Sequence, residues 1–203
     1  MPSWRCGGRC LAERSLRFAW PWVGGLLALG ALAAQAVNPL LIDWQPALAW
    51  RQPWRPFTAV FVHYSAMHLA ANLAGALLVG ALGLVARVPA RSVAAWLAAW
   101  PLTQCVLALQ PELLHYGGLS GVLHAGVAVA AVHLAWAGRS RERWIGTALL
   151  AGLIAKVASE SPWAGPLSFP PGWDIAVAPL AHAGGVVTGV LASAVAEALR
   201  RRQ

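Results

Sequence analysis

Ser120 is the residue of this 203-residue chain whose surroundings most favour nucleophilic chemistry. It stands between glycines in the segment Gly118-Leu119-Ser120-Gly121, within a stretch, 113–138, that contains no Asp, Glu, Lys or Arg. A serine hydroxyl is a weak nucleophile until a neighbouring base takes its proton, and histidine is the usual base. The chemistry open to Ser120 therefore depends on the element that carries it and on which histidines share its depth.

The composition indicates that this element lies in a membrane. Hydrophobic residues make up 59% of the chain and charged residues 11%, whereas a soluble domain carries about 25% charged residues. A membrane-spanning helix needs roughly 20 apolar residues, and the sequence predicts an all-α polytopic membrane protein with a six-helix bundle in residues 18–199. The predicted spans are Phe18–Val37, Ser65–Ala86, Ser92–Gln110, Gly118–Ala137, Trp144–Ser159 and Ile175–Leu199.

The basic residues predict how the bundle is oriented. Arginine and lysine concentrate in cytoplasmic loops, and with the N-terminus inside, only Arg51, Arg55 and Lys156 fall on the outer side. The terminal segments 1–17 and 200–203 are then both basic and cytoplasmic. The inner arginines are Arg5, Arg9, Arg14, Arg17, Arg87, Arg91, Arg139, Arg141, Arg143, Arg200, Arg201 and Arg202.

The same asymmetry explains the net charge of +8. The arginines are spread over four inner segments and form no single stripe, so no nucleic-acid partner is expected. The N-terminus could also be a cleavable signal peptide ending near residues 31–36, but its apolar run is long for one and the helix is expected to be retained. Cys6, Cys10 and Cys105 form neither a disulfide framework nor a strong metal-binding pattern, so free thiols are expected.

Three of the predicted helices place polar side chains at one depth in the outer half of the membrane. Ser120 lies at the start of the fourth span, His182 about two turns into the sixth, and His68 and Asn72 in the first two turns of the second. His68 and Asn72 are i,i+4 and share a helix face. A tetrahedral intermediate needs hydrogen-bond donors for its oxyanion, and the His68 imidazole, the Asn72 amide and the Ser120 backbone N–H can donate.

Close packing of the sixth span on the fourth would bring His182 to Ser120. Gly185 and Gly189 follow His182 on one helix face, and such a pair of small residues lets two helices approach closely. No acidic residue is expected at this depth. The sequence therefore predicts a Ser-His dyad without a carboxylate, unlike the familiar triad.

These residues resemble the motifs of the rhomboid intramembrane serine proteases. Four motifs occur in the family's order and in the corresponding helices, over about residues 54–189. They are Trp54-Arg55 with Phe57-Thr58 in the first outer loop, His63, His68 and Asn72 for HxxxxHxxxN, Gly118-Leu119-Ser120-Gly121 for GxSG, and Ala181-His182 with Gly185 and Gly189 for AHxxGxxxG. In one departure, the glutamate that rhomboids commonly carry late in the second helix is missing from residues 82–87.

The resemblance implies an intramembrane serine endopeptidase that cleaves transmembrane-anchored proteins and needs neither a metal nor a cofactor. Many rhomboids carry a tyrosine at the position of His124 in this chain. The implied roles are nucleophile for Ser120, base for His182, oxyanion donors for His68 and Asn72, room for substrate at Gly118, and packing on the catalytic imidazole for His124.

Residues 119–124, Leu-Ser-Gly-Val-Leu-His, in a six-helix chain are similar to the rhombosortase branch of the family. This likeness implies exported bacterial substrates that end in Gly-Gly, a transmembrane helix and a basic cluster. It also implies a multi-pass location in the bacterial inner membrane, with the active site opening toward the periplasm. The alternatives are a general rhomboid protease acting on other single-span substrates, or a non-catalytic rhomboid-like protein that binds transmembrane helices.

The remaining polar residues have simpler interpretations. His63, His115 and His133 are expected to be structural. Lys156 and Glu160 are i,i+4 and are expected to form an interfacial ion pair, with a role facing the substrate as the alternative. A metal or haem site would need closely spaced ligands, and no two histidines lie three or four residues apart.

Overall fold

The computed structural model describes residues 18–49 and 51–200. The predicted basic segment 1–17, with Cys6 and Cys10, lies outside the described residues, as do Trp50 and the tail 201–203.

Six long α-helices make up most of the described chain, which contains isolated β-bridges but no β-strand. The prediction of an all-helical protein is confirmed, and the helices lie close to the predicted spans. They are α1 (Ala19–Ala33), α2 (Ala66–Val85), α3 (Ala90–Val106), α4 (Ser120–Ala137), α5 (Ser140–Ser159) and α6 (Pro179–Arg200).

Five of these helices are long and apolar enough to cross a membrane, with α1 and α3 extended at their ends by short 3-10 turns. The exception among the described helices is α5. It has 20 residues, but its first turn contains Arg141, Glu142 and Arg143, and Lys156 lies near its end. The structure thus shows five candidate spans, and a sixth crossing by α5 stays a prediction.

Helix α6 begins at Pro179, four residues later than the sequence predicts. The preceding segment is extended because Val177 pairs with Ser168 in an isolated antiparallel bridge. Residues 160–178 therefore form a folded loop between α5 and α6. Ser65, the N-cap residue of α2, holds this loop by a hydrogen bond of 2.8 Å from its hydroxyl to Asp174.

Helix α4 lies at the centre of the bundle and contacts α2, α3, α5 and α6. Its approach to α6 depends on glycine, because a Cβ on Gly185 would collide with the carbonyl of Gly121. One turn later, a Cβ on Gly189 would lie 2.6 Å from the carbonyl oxygen of Ala125. The predicted close packing of small residues between these two helices is confirmed.

The loop between α1 and α2 supports the segment that precedes Ser120. Arg55, in a short helix at Arg55–Thr58, is buried and pairs with the buried Asp43 at 2.9 Å. Trp44 forms an antiparallel bridge with Tyr116, and the Gly118 N–H donates to the Ala59 carbonyl at 3.1 Å. The loop and the start of α4 are therefore fixed to each other.

Near the end of α2, where the glutamate expected from the resemblance is missing, the helix packs against a tryptophan. The Trp20 indole of α1 packs on Gly83, where a Cβ would collide with its ring. Its N–H donates to the Val79 carbonyl at 2.8 Å. A buried aromatic donor thus joins α1 to α2 at this point.

Candidate active site

Ser120 is the first residue of α4. The first backbone N–H groups of an α-helix have no partner within the helix, so the Ser120 N–H points out of the helix end. The Ser120 Oγ lies 2.9 Å from Nε2 of His182, which is in the first turn of α6. The His182 side chain is buried, with 8% of its surface exposed. The structure thus brings together the two residues that the sequence predicts as nucleophile and base.

The other ring nitrogen of His182 contacts a carboxylate that the sequence analysis missed. Glu160 caps the C-terminal end of α5, and its Oε2 lies 2.7 Å from His182 Nδ1. The statement that no acidic residue lies at this depth is therefore wrong. Glu160 follows the predicted end of the fifth span at Ser159, and the sequence predicts only an interfacial ion pair with Lys156 for it, whereas the helix end turns its carboxylate toward α6. Its helical spacing from Lys156 was the signal that could have drawn attention to it.

Lys156 connects Glu160 to a second histidine. Its Nζ lies 2.7 Å from Glu160 Oε1, which confirms the predicted i,i+4 ion pair. The same Nζ lies 2.8 Å from Nε2 of His124. This pair is no simple interfacial salt bridge, because both of its members contact residues around Ser120.

His124 packs on His182, as the resemblance implied. The two rings are stacked, with centroids 4.3 Å apart and an interplanar angle of 13°. His124 Nδ1 lies 2.7 Å from the Ser120 carbonyl oxygen one turn earlier in α4. A carbonyl can only accept, so Nδ1 carries the proton and Nε2 accepts from Lys156.

His68 and Asn72 lie on the face of α2 that is directed at this site, and both are buried. Gly118, just before the start of α4, lies close to both side chains. A Cβ on Gly118 would lie 2.8 Å from His68 Nε2 and 3.8 Å from Asn72 Nδ2. Gly118 has φ +137°, a conformation that favours glycine. This position therefore needs glycine both for its backbone and for the space beside His68.

The three other histidines lie outside this cluster. His63 contacts the Phe61 carbonyl at 3.1 Å through Nδ1 and packs beside the His68 ring. His115 Nδ1 lies 2.8 Å from the buried Asp43. His133 lies deep in α4, where its Nδ1 has no hydrogen-bond partner among the described residues.

A cavity of about 570 Å³ opens over the cluster. Its lining includes Leu78 and Val79 of α2, Leu153 of α5 and Trp173 of the loop between α5 and α6. Many of its polar groups belong to the cluster described above, namely His68, Asn72, Ser120, His124, Lys156, Glu160 and His182, and Tyr64, His115, Tyr116 and Ser168 also line it. A largely apolar cleft with a few convergent polar groups is typical of a substrate site.

The electrostatics of the C-terminal end of α5 favour an ionised Glu160. Burial alone raises the pKa of the Glu160 carboxyl, but the hydrogen bond from His182, followed by the hydrogen bond and charge of Lys156, lowers that pKa below its usual range. At neutral pH the group is a carboxylate that accepts hydrogen bonds and cannot donate one.

Comparison with protein families decides the class of this protein. The Rhomboid domain model matches residues 50–198 of the chain. The chain belongs to the rhomboid family. Rhomboids are intramembrane serine proteases that act on transmembrane substrates. The matched range contains Ser120, His182 and the rest of the cluster, and no curated protein matches the chain significantly.

Proposed function

We propose that this rhomboid is an active serine endopeptidase in which Ser120 is the nucleophile and His182 the general base. The observation that carries the proposal is the 2.9 Å contact between Ser120 Oγ and His182 Nε2 at the wall of the cavity. A base must lie within about 2.6–3.2 Å of the proton that it removes, and this pair meets that condition before substrate arrives.

The reaction is an acyl transfer in two halves. His182 Nε2 takes the hydroxyl proton as Ser120 Oγ bonds to the substrate carbonyl carbon. The same nitrogen then gives that proton to the leaving amine as the peptide C–N bond breaks. Water next attacks the resulting ester with His182 again as base, which releases the new carboxyl terminus and frees Ser120.

The oxyanion is stabilised by groups from two helices. The Ser120 backbone N–H lies at the helix N-terminus, where the helix dipole favours negative charge. His68 Nδ1 is buried with no hydrogen-bond partner among the described residues, which leaves the Nε2–H tautomer free to donate beside Gly118. Asn72 Nδ2 lies beyond it on the same face of α2. Because Gly118 has no side chain, the His68 imidazole can approach the start of α4, and this close contact leaves no room for a substrate chain between the two residues.

Substrate enters from the lipid between α2 and α5. Both helices line the cavity, and Leu78 and Ile154 on these helices are exposed. In this proposal α5 also crosses the membrane, both termini are cytoplasmic, and the site opens toward the periplasm of a bacterial inner membrane. The concentration of arginine at the opposite end of the bundle supports this orientation.

The substrates proposed are exported proteins whose C-terminal anchor is Gly-Gly, a transmembrane helix and a basic cluster. Two consecutive glycines suit a cleavage site that must leave the helical state, because glycine destabilises a helix by about 1 kcal/mol relative to alanine.

Co-expression tests this proposal. A secreted reporter with a Gly-Gly anchor is produced with the wild-type chain or with Ser120→Ala, and mass spectrometry identifies its C-terminus. We expect a new C-terminus at or beside Gly-Gly with the wild type alone. Cleavage of a single-span reporter without Gly-Gly would support a general rhomboid protease instead. Unchanged processing of the reporter in the presence of Ser120→Ala would contradict the assignment of Ser120 as the nucleophile.

A further inference from the structure

We propose that Glu160 is a positioning residue for catalysis, which orients His182 from its Nδ1 side and is itself held by Lys156. This inference rests on the function proposed above and adds to it a carboxylate that a Ser-His dyad does not contain. Its basis is a closed ring of hydrogen bonds that begins and ends on Ser120.

The ring runs through five residues. From the Ser120 carbonyl it passes to His124 at 2.7 Å, to Lys156 at 2.8 Å and to Glu160 at 2.7 Å. It returns through His182 Nδ1 at 2.7 Å and closes from Nε2 to the Ser120 hydroxyl at 2.9 Å. Three helices therefore contribute to one network around a single serine.

The donors and acceptors of this ring can be assigned without ambiguity. Glu160 is an acceptor, so His182 Nδ1 carries the proton, and the lone pair of Nε2 is then directed at the Ser120 hydroxyl. This is the tautomer that a general base requires. Lys156 lies 3.3 Å from His182 Nδ1, but both groups are donors, so Lys156 does not orient His182 directly.

The Glu160 carboxylate stabilises His182 more strongly after proton transfer than before it. When Ser120 attacks the substrate, its proton moves to His182 Nε2 and the imidazole becomes a cation. That cation keeps its Nδ1 proton and faces the Glu160 carboxylate across 2.7 Å. Glu160 stabilises this charge without taking the proton. The acidic residue of a catalytic triad has the same role.

The location of Glu160 is unfavourable for the helix that carries it. A negative charge at a helix C-terminus opposes the helix dipole, and the Glu160 side chain is only 23% exposed. Lys156 offsets this cost from one side and the Nδ1–H of His182 from the other. The contact with His182 holds the carboxylate against α6.

The test measures how fast a fluorophosphonate probe labels the full-length protein in detergent, as a function of pH. In Glu160→Gln we expect labelling at the pH plateau to slow by about a hundredfold, within the range typical of general-base catalysis. Loss of a neighbouring carboxylate makes the protonated imidazole less stable, so the acid limb of the profile moves to lower pH. Glu160→Asp should restore part of the rate, and Lys156→Met should slow labelling less than Glu160→Gln does.

The charged and titratable groups facing His182 are Lys156 and Glu160 on α5, His124 on α4 and His68 on α2. The matched control is Glu197→Gln, which removes a carboxylate paired with Arg91 at the far end of α6. It should leave both the rate and the profile unchanged.

Two results would overturn the inference. In the first, the probe labels Glu160→Gln at the wild-type rate with an unmoved acid limb, while Ser120→Ala is not labelled. The second is slower labelling with a lowered unfolding temperature, an unmoved acid limb and no recovery in Glu160→Asp, which would mean a structural role. Labelling of Ser120→Ala at the wild-type rate would instead contradict the proposed function itself.

Discussion

Gly185 of α6 faces the carbonyl of Gly121 in α4 with no room between them for a side chain. This contact fixes the distance between the two helices that carry His182 and Ser120. It lies next to the contact between Ser120 and His182, because Gly121 follows Ser120 and Gly185 is about one turn beyond His182. The separation of Ser120 and His182 is thus set by backbone contact between helices.

Gly185→Ala tests this dependence. The added methyl group must push α6 away from α4, so we expect cleavage to fall by at least about a hundredfold, as small misplacements of catalytic groups can cause. Activity against a cleaved single-span substrate and thermal unfolding in detergent measure the two effects. Gly25→Ala in α1, where a Cβ meets nothing within 4 Å, is the control and should be fully active. Full activity of Gly185→Ala would mean that the helices do not set this distance.

Gly118→Ala should damage the oxyanion site while sparing the pair of Ser120 and His182. Its φ of +137° disfavours alanine, and the new Cβ would lie 2.8 Å from the His68 ring. We expect kcat to fall by about a hundredfold, the size of one lost oxyanion donor. Gly152→Ala, in open space on α5, should retain wild-type kinetics. Equal kcat values for the two variants would contradict the proposed site.

His68→Ala and Asn72→Ala should each lower kcat by about 10²–10³-fold with little change in KM, because their donors act on charge that develops in the transition state. Steady-state kinetics with one substrate separate the two constants. Asn38→Ala, which removes a helix cap in the first outer loop, serves as the control. A rise in KM with unchanged kcat would assign these residues to substrate binding.

Asp43→Ala should destabilise the protein without touching the reacting atoms. Asp43 is fully buried against Arg55 and also contacts His115 and Tyr64. Removing one partner of a buried ion pair typically costs about 3–5 kcal/mol, and we expect the free energy of unfolding to fall by about that amount. Arg91→Gln, which breaks a partly exposed pair with Glu197, should cost less. Similar losses of unfolding free energy in both variants would show that the buried ion pair contributes no more to stability than the partly exposed one.

The sequence predicted the helical fold and the meeting of Ser120 with His182 for identifiable reasons. Long apolar stretches define helices in lipid, and a polar residue in such a stretch marks the helix face that is turned away from lipid. The glycine pair after His182 indicated which helix would approach α4. The residues between Ile175 and Pro179 were assigned to the wrong element, because their pairing with the outer loop leaves no local signal.

Glu160 could not be placed from sequence for a different reason. In water, the apolar stripe of a helix specifies the face that packs, but a membrane helix is apolar on most faces and its rotation is set by its neighbours. The sequence predicts only an interfacial ion pair of Glu160 with Lys156, and the direction of the Glu160 carboxylate depends on how α5 ends beside α6. Three-dimensional packing was needed to show that its carboxylate faces His182.

The central claim is that Ser120 is a nucleophile activated by His182. The most direct measurement is labelling of the full-length protein with a fluorophosphonate probe, followed by mass spectrometry of the modified peptide. We expect the adduct on Ser120 in the wild type, and no adduct in either Ser120→Ala or His182→Ala. Equal labelling of all three proteins, or an adduct on another residue, would contradict the account.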